Sequence, residues 1–262
     1  MAQIIEFSRA DNCSDAEWET RIELAACYRL VEKFGWSDLL ANHISARVPG
    51  PEDHFLLNPY GIRYDEITAS ALLKVDVDGN IIGPNHGFTV NPAGFVIHSA
   101  VHMARPELMC ALHTHTYAGV AVSCQTKGLL PLSQMQLSVL GEVVYHDYEG
   151  IAALDNLDER QRIVADLGSS HCLIMRNHGL MTVGESVGAA WCYMYRLERA
   201  CRMQIEFQKT GAEWVELSQA TIGQTVEKSQ SMFAEDSFRP VGTVEWEAVK
   251  RMLERDGADY RT

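Results

Sequence analysis

The sequence predicts a three-layer α/β domain, and three observations predict it. Helical and extended hydropathy patterns alternate along the chain, the extended runs are short and apolar, and one pair of them flanks a tight-turn signal. The first element is an amphipathic helix. Ser14-Asp15-Ala16-Glu17 has the spacing of a capping box, whose hydroxyl and carboxylate satisfy N–H groups left open at a helix start. Trp18, Ile22, Ala25, Ala26, Leu30 and Phe34 then recur at helical spacing and Gly35 stops the pattern, which predicts a helix over residues 15–34.

Residues 43–48 and 54–58 read as strands separated by a Pro-Gly-Pro-Glu-Asp turn. Residues 72–76 and 80–82 flank Asp78-Gly79, a pair that tolerates the positive φ of a hairpin turn. A helix over 95–103 ends before Pro106, 108–113 is a buried strand, and 117–124 starts another helix. Strands at 142–146 and 172–175 bracket a helix around 158–167. The longest helical pattern covers 188–208, with Ala190, Tyr193, Met194, Leu197, Cys201 and Ile205 on one face and Arg196, Glu198, Arg199 and Arg202 on the other. Residues 1–210 thus form the domain. Residues 211–262 are a more polar C-terminal extension, with a short helix at 244–253 carrying Trp246, Val249 and Leu253.

Composition narrows the function classes. An apolar fraction of 47% suits a real core, and the net charge of −13 with a pI near 5.2 argues against nucleic acid and against an anionic membrane surface. It leaves room for an anionic small-molecule substrate in a locally basic pocket. The seven cysteines are scattered without a CxxC pair and several sit in apolar runs, as expected of free thiols in a reducing compartment. The N-terminal stretch has no basic flank before a long apolar run, and no segment approaches the roughly 18 uncharged apolar residues of a membrane span. A cytoplasmic location is the expectation.

The sharpest chemical signal is His113-Thr114-His115, directly after the apolar run Leu108-Met109-Cys110-Ala111-Leu112. Residues i and i+2 of a strand project from one face, so both imidazoles can reach one ion, at about 2.0–2.1 Å for zinc. His178, in Asn177-His178-Gly179 after the apolar run Cys172-Leu173-Ile174-Met175, sits in a turn that can bring it beside a second strand end. Three histidines with an open position are the arrangement of a catalytic metal rather than a structural one.

Four segments resemble the class II aldolase/adducin family: Asn42-His43-Ile44-Ser45 with Arg47, residues 56–80, residues 91–116 and residues 173–184. They span most of residues 22–208 in the family's order. The resemblance implies a three-layer α/β/α fold around a central, mostly antiparallel sheet, a homotetramer with active sites between neighbouring subunits, and a divalent metal, zinc or manganese, on His113, His115 and His178. It also implies that the loop of Asn42, His43 and Ser45 reaches the anionic end of a substrate and that Tyr60 and Gly61 lie in a second such loop. By the same resemblance, His146 and Tyr148 fall in a segment that, in the aldolases, contributes an acid from the adjacent subunit. Tyr60 and Gly61 also read as part of a plain turn, and His146 and Tyr148 as part of a surface loop. His98, four residues before His102 on one helix face, reads as a structural hydrogen-bonding residue rather than a ligand. Arg47, Arg63 and Arg176 can offset an anion or pair with surface carboxylates.

The departures from the sugar-phosphate aldolases carry information. Those enzymes have Ser-Ser-Glu where this sequence has Pro92-Ala93-Gly94, so the glutamate that moves a proton and the serines that hold phosphate are missing. In this stretch the chain resembles the adducin-like branch. Two readings follow. One is a metal-dependent lyase performing aldol cleavage or decarboxylation of a small hydroxy acid or sugar-like carbonyl compound, the metal stabilising an enolate and His146, Tyr148 or water supplying a proton. The other is an adducin-like binding or scaffold protein. Adducin-type interaction proteins are expected to carry a long charged tail, and this sequence ends at Thr262 without one, so the lyase is the leading expectation.

Overall fold

The computed structural model describes Phe7, Arg9 and residues 13–50, 53–150 and 157–262. Most of the N-terminal stretch read above for a signal peptide, and Pro51 and Glu52 of the first turn, lie outside them. Eight helices surround a seven-stranded sheet among the described residues. The helices are α1 (Asp15–Lys33), α2 (Pro92–Ala104), α3 (Tyr117–Ser123), α4 (Gln134–Leu140), α5 (Leu157–Leu167), α6 (Val187–Gln208), α7 (Gln219–Phe233) and α8 (Val244–Arg255). The strands are β1 (His43–Arg47), β2 (Phe55–Leu57), β3 (Leu73–Val75), β4 (Cys110–Thr114), β5 (Val143–His146), β6 (Cys172–Met175) and β7 (Gly179–Gly184). Their order is β3-β2-β1-β4-β7-β6-β5, antiparallel throughout except for the β5–β6 pair at one edge.

The sheet is covered on both sides, which gives the expected three layers. Ile44, Ala46, Cys110, Leu112, Ile174 and Leu180 pack into the large core built with α1 and α6. The alternate residues Ala111, Leu173, Met175, Met181 and Val183 pack with Ile97 and Val101 of α2 and Ile163 and Leu167 of α5. The period of two along each strand thus assigns faces. On β1 and β4 the α2-facing positions include His43, Ser45 and His113, so α2 covers buried imidazoles as well as aliphatic groups.

Local chemistry places the elements. Ser14 caps α1, its Oγ accepting from Glu17 N at 3.1 Å; the Glu17 carboxylate holds Arg21 and Lys74 at 2.9 Å each. Pro92 opens α2, where a missing N–H costs nothing. At Asp78-Gly79 the turn forms with Gly79 at φ +85°, but beyond it only Ile81 bridges back to Val75, so the hairpin's second arm is a single bridge. The expected turn after His178 leads straight into β7, a buried strand bounded by Gly179 and Gly184. Beyond Gly211 there are two helices rather than one: α7 packs on α4, Ser229 Oγ donating to the Ser138 carbonyl at 2.9 Å, and α8 buries Trp246 and Leu253. No helix among the described residues is long and apolar enough to cross a membrane. Six of the seven cysteines are buried and all are free thiols.

Candidate metal centre

The end of β4 meets the turn between β6 and β7. His113 pairs with Met181 and Thr114 with Leu180 across the β4–β7 ladder, and His115 continues just past the strand end. Asn177 adopts the left-handed conformation, φ 56°, and His178 N donates to Met175 O at 3.1 Å, which folds the turn back against β4. Gly179 lets the two segments touch: a Cβ there would stand 2.4 Å from the Thr114 carbonyl oxygen and 3.1 Å from the His115 ring.

This brings three imidazoles to one point. His113 Nε2 lies 2.8 Å from His115 Nε2, which lies 3.0 Å from His178 Nε2, and one ligand atom from each of the three residues falls within 4.8 Å of the others. The protons of two rings are committed elsewhere. His113 Nδ1 donates to the Leu180 carbonyl at 2.9 Å, and His115 Nδ1 donates to Asp38 Oδ2 at 3.0 Å. In a neutral imidazole with a proton on Nδ1, Nε2 is a bare lone pair. Two such lone pairs face each other at 2.8 Å, a repulsive arrangement that a cation between them relieves. The donor set therefore fits a metal of the kind that takes imidazole ligands. Burial pushes the His113 pKa well below its usual value, with the neighbouring imidazoles adding to it, and burial followed by His115 takes His178 down to about 4. Both rings are held in the neutral, ligating form.

The three histidines open onto a cavity of about 440 Å³ also lined by Asp38, His43 and Tyr148, a volume suited to a small molecule. A larger cavity of about 680 Å³ lies between α6 and α7, but the histidine cluster is not in it, and chemistry rather than size identifies the site.

The other sequence candidates are distributed unevenly. His43 lines the cavity and Tyr148 stands at its mouth, half exposed. Asn42 is buried and its Oδ1 accepts from the Asp38 backbone N–H, which fixes the loop that carries Asp38. Ser45 is engaged by His98 and His102 on the sheet's α2 side and does not line the cavity. Tyr60 and Gly61 are exposed on a loop that does not line it either, Gly61 taking φ +105° in the turn. His146 is buried, its Nδ1 bonded to Asp166 Oδ2 at 2.7 Å and its Nε2 3.7 Å from Glu159, so within one chain it packs against α5 rather than facing the cavity. Arg47 pairs with Asp53, and Arg63 with Asp65. Sequence reasoning missed Asp38. Its only signal is a carboxylate a few residues before the strand that pairs with the H-x-H strand.

A sequence profile described as "Class II Aldolase and Adducin N-terminal domain" matches residues 22–205. The chain belongs to the class II aldolase and adducin family. Alpha-adducin of Rattus norvegicus is 45% identical over 92% of this chain, which spans 34% of that protein. An aldolase II superfamily protein from Pseudomonas syringae is 48% identical, with a TM-score of 0.90 over 96% of this chain and 98% of that one. The L-fuculose 1-phosphate aldolase of Glaciozyma antarctica is 25% identical, with a TM-score of 0.80 over 98% of this chain and 97% of that one. Against this family background, Gly94 has a structural counterpart. A Cβ at residue 94 would lie 2.4 Å from His43 Cδ2, so the imidazole fills the space a side chain there would enter.

Proposed function

We propose that this chain is a metal-dependent carbon–carbon lyase acting on a small hydroxy acid or sugar-like carbonyl compound, by aldol cleavage or decarboxylation. The observation that carries the reading is the set of His113, His115 and His178, with Nε2 lone pairs converging on one point and the Nδ1 protons of His113 and His115 committed to Leu180 and Asp38. These residues would hold zinc or manganese. A divalent ion there supplies the positive charge that stabilises the enolate left when the carbon–carbon bond breaks.

The chain's own groups divide the remaining work. Asp38 orients His115 and Leu180 orients His113, which keeps the ligating nitrogens aimed without reorganisation. Residue 94 cannot move a proton, so proton delivery falls to Tyr148 at the cavity mouth, to water, or to a group such as His146 presented by a neighbouring subunit. We place the site between subunits of a homotetramer in the cytoplasm. The structural likeness to a sugar-phosphate aldolase supports a lyase; the absence of serine donors at residues 92 and 93 favours an unphosphorylated substrate.

The test is elemental analysis of the purified protein beside His113→Ala, followed by a lyase screen with hydroxy acids and sugar acids. About one zinc or manganese per chain, lost in the variant, is expected. Failure to take up either metal when it is supplied overturns the reading. The similarity to alpha-adducin then makes a binding module the better account.

A further inference from the structure

Four side chains form one buried hydrogen-bonded line beneath α2. His43 Nδ1 lies 2.8 Å from His98 Nε2, His98 Nδ1 lies 2.7 Å from Ser45 Oγ, Ser45 Oγ lies 2.8 Å from His102 Nε2, and His102 Nδ1 lies 3.2 Å from the Leu108 carbonyl oxygen. The four are between 0% and 7% exposed. Burial keeps His98 and His102 neutral, the latter with its pKa near 4, so each ring has one donor and one acceptor.

The direction of every bond then follows from one end. A carbonyl oxygen can only accept, so His102 carries its proton on Nδ1 and offers a lone pair at Nε2. Ser45 must donate to that lone pair, and its oxygen must accept from His98 Nδ1–H. His98 Nε2 is therefore bare and accepts from His43 Nδ1–H. The line ends at His43 Nε2, left as a lone pair. Among the described residues the one hydrogen bond of the His43 side chain is that from Nδ1 to His98, and the ring lines the cavity beside the three histidines. Glycine at residue 94 leaves the ring uncovered by any side chain there. The line stops at a backbone carbonyl, so it holds a tautomer rather than conducting protons.

We infer that His43 is a specificity-determining residue: its Nε2 accepts a hydrogen bond from a hydroxyl or other donor on the small molecule in the cavity and disfavours a carboxylate, phosphate or keto oxygen at that point. This gives His43 a preference opposite to the anion-facing role its loop has by resemblance. It deepens the lyase reading and rests on the cavity being its substrate site.

Neutron diffraction from metal-free, deuterium-exchanged crystals tests the tautomer without reference to any metal. Deuterium on Nδ1 of His43, His98 and His102, and none on the three Nε2 atoms, is the expected result; deuterium on His43 Nε2 overturns the inference. Calorimetry of the zinc-loaded protein then compares glycerate with lactate, which lacks the terminal hydroxyl. Glycerate is expected to bind roughly three- to tenfold more tightly, as one net hydrogen bond allows. That preference is expected to vanish in His43→Phe, whose zinc content is measured on the same sample. No preference in the wild type, or a preference that survives in His43→Phe, overturns the inference. Failure to load zinc counts instead against the lyase reading, with the tautomer result still standing.

Discussion

Asp38 accepts a hydrogen bond from His115 Nδ1 at 3.0 Å, from a loop that enters β1, while His115 itself follows β4. This carboxylate fixes which nitrogen of His115 faces His113 and His178. Asp38→Asn keeps the size but replaces a charged acceptor with an amide that can turn either end to the ring. The expected outcome is a folded protein whose zinc affinity is about 10- to 100-fold weaker. Competition with a chromophoric chelator measures it. Unchanged affinity would remove Asp38 from the site.

The two segments that carry the three histidines were legible because their geometry is local. An H-x-H at a strand end presents two imidazoles on one face, and an N-H-G after an apolar run reverses the chain. Asp38, 77 residues from His115, was not legible, because its approach depends on how a loop enters β1. The same holds for the line from His43 to His102, which needs the β1–β4 register and the docking of α2 together. His146 had the right residue type for proton transfer, but α5 supplies Asp166 and Glu159 to it, a pairing that no local pattern announces. Strand β7 was hidden because it is bounded by glycines and buried on both faces, so it lacks alternation. Helix α7 was hidden because its sequence is polar and contains Gly223, and its packing on α4 rather than its own pattern holds it.

Gly94 and His43 cannot both carry side chains in this geometry. Gly94→Glu, which writes the aldolase glutamate back into the chain, is expected to lose stability rather than gain activity. A Cβ would stand 2.4 Å from a ring pinned by His98, and overpacking of this kind costs about 1–3 kcal/mol. In a domain of this size that lowers Tm by roughly 2–4 °C per kcal/mol. The double variant His43→Gly with Gly94→Glu removes the clash, and its loss of stability should be smaller than the sum of the two single losses. Thermal unfolding of all four proteins completes the cycle, and strict additivity would show that the two residues do not compete for space.

Metal binding should couple to stability through His178 as well as His113. A ligand that binds only the folded state adds about 2.7 kcal/mol at one hundred times its Kd. Zinc is therefore expected to raise Tm of the wild type by several degrees and EDTA to reverse the rise. His178→Ala should show little response to either, since two histidines on one strand end are an incomplete set. Differential scanning calorimetry with and without zinc reads this directly; a full zinc response in His178→Ala would mean that His178 is not a ligand.

His171 sits between Glu142 and Glu185, at 2.7 and 3.0 Å, and stacks on Tyr193 with ring planes 9° apart. Burial alone would lower its pKa, but the hydrogen bonds to Glu142 and then Glu185 overcome it and raise the group to about 9. A folded pKa above the unfolded value of 6.5 means that the folded state holds the proton more tightly. The contribution is fully present below about pH 6.5 and is lost as pH rises through about 9. Both carboxylates are in turn held below their usual values, by the His171 hydrogen bond first, so the cluster also weakens as pH falls through their folded pKa values. Because Glu185 is half exposed, the net worth of the cluster is on the order of 1–2 kcal/mol. His171→Gln should therefore lower Tm by a few degrees at pH 6 and leave a much smaller difference at pH 9.5. Thermal melts of the two proteins across this range provide the check. A difference that stays constant from pH 6 to 9.5 would show that the loss comes from the stacked ring and not from the charge.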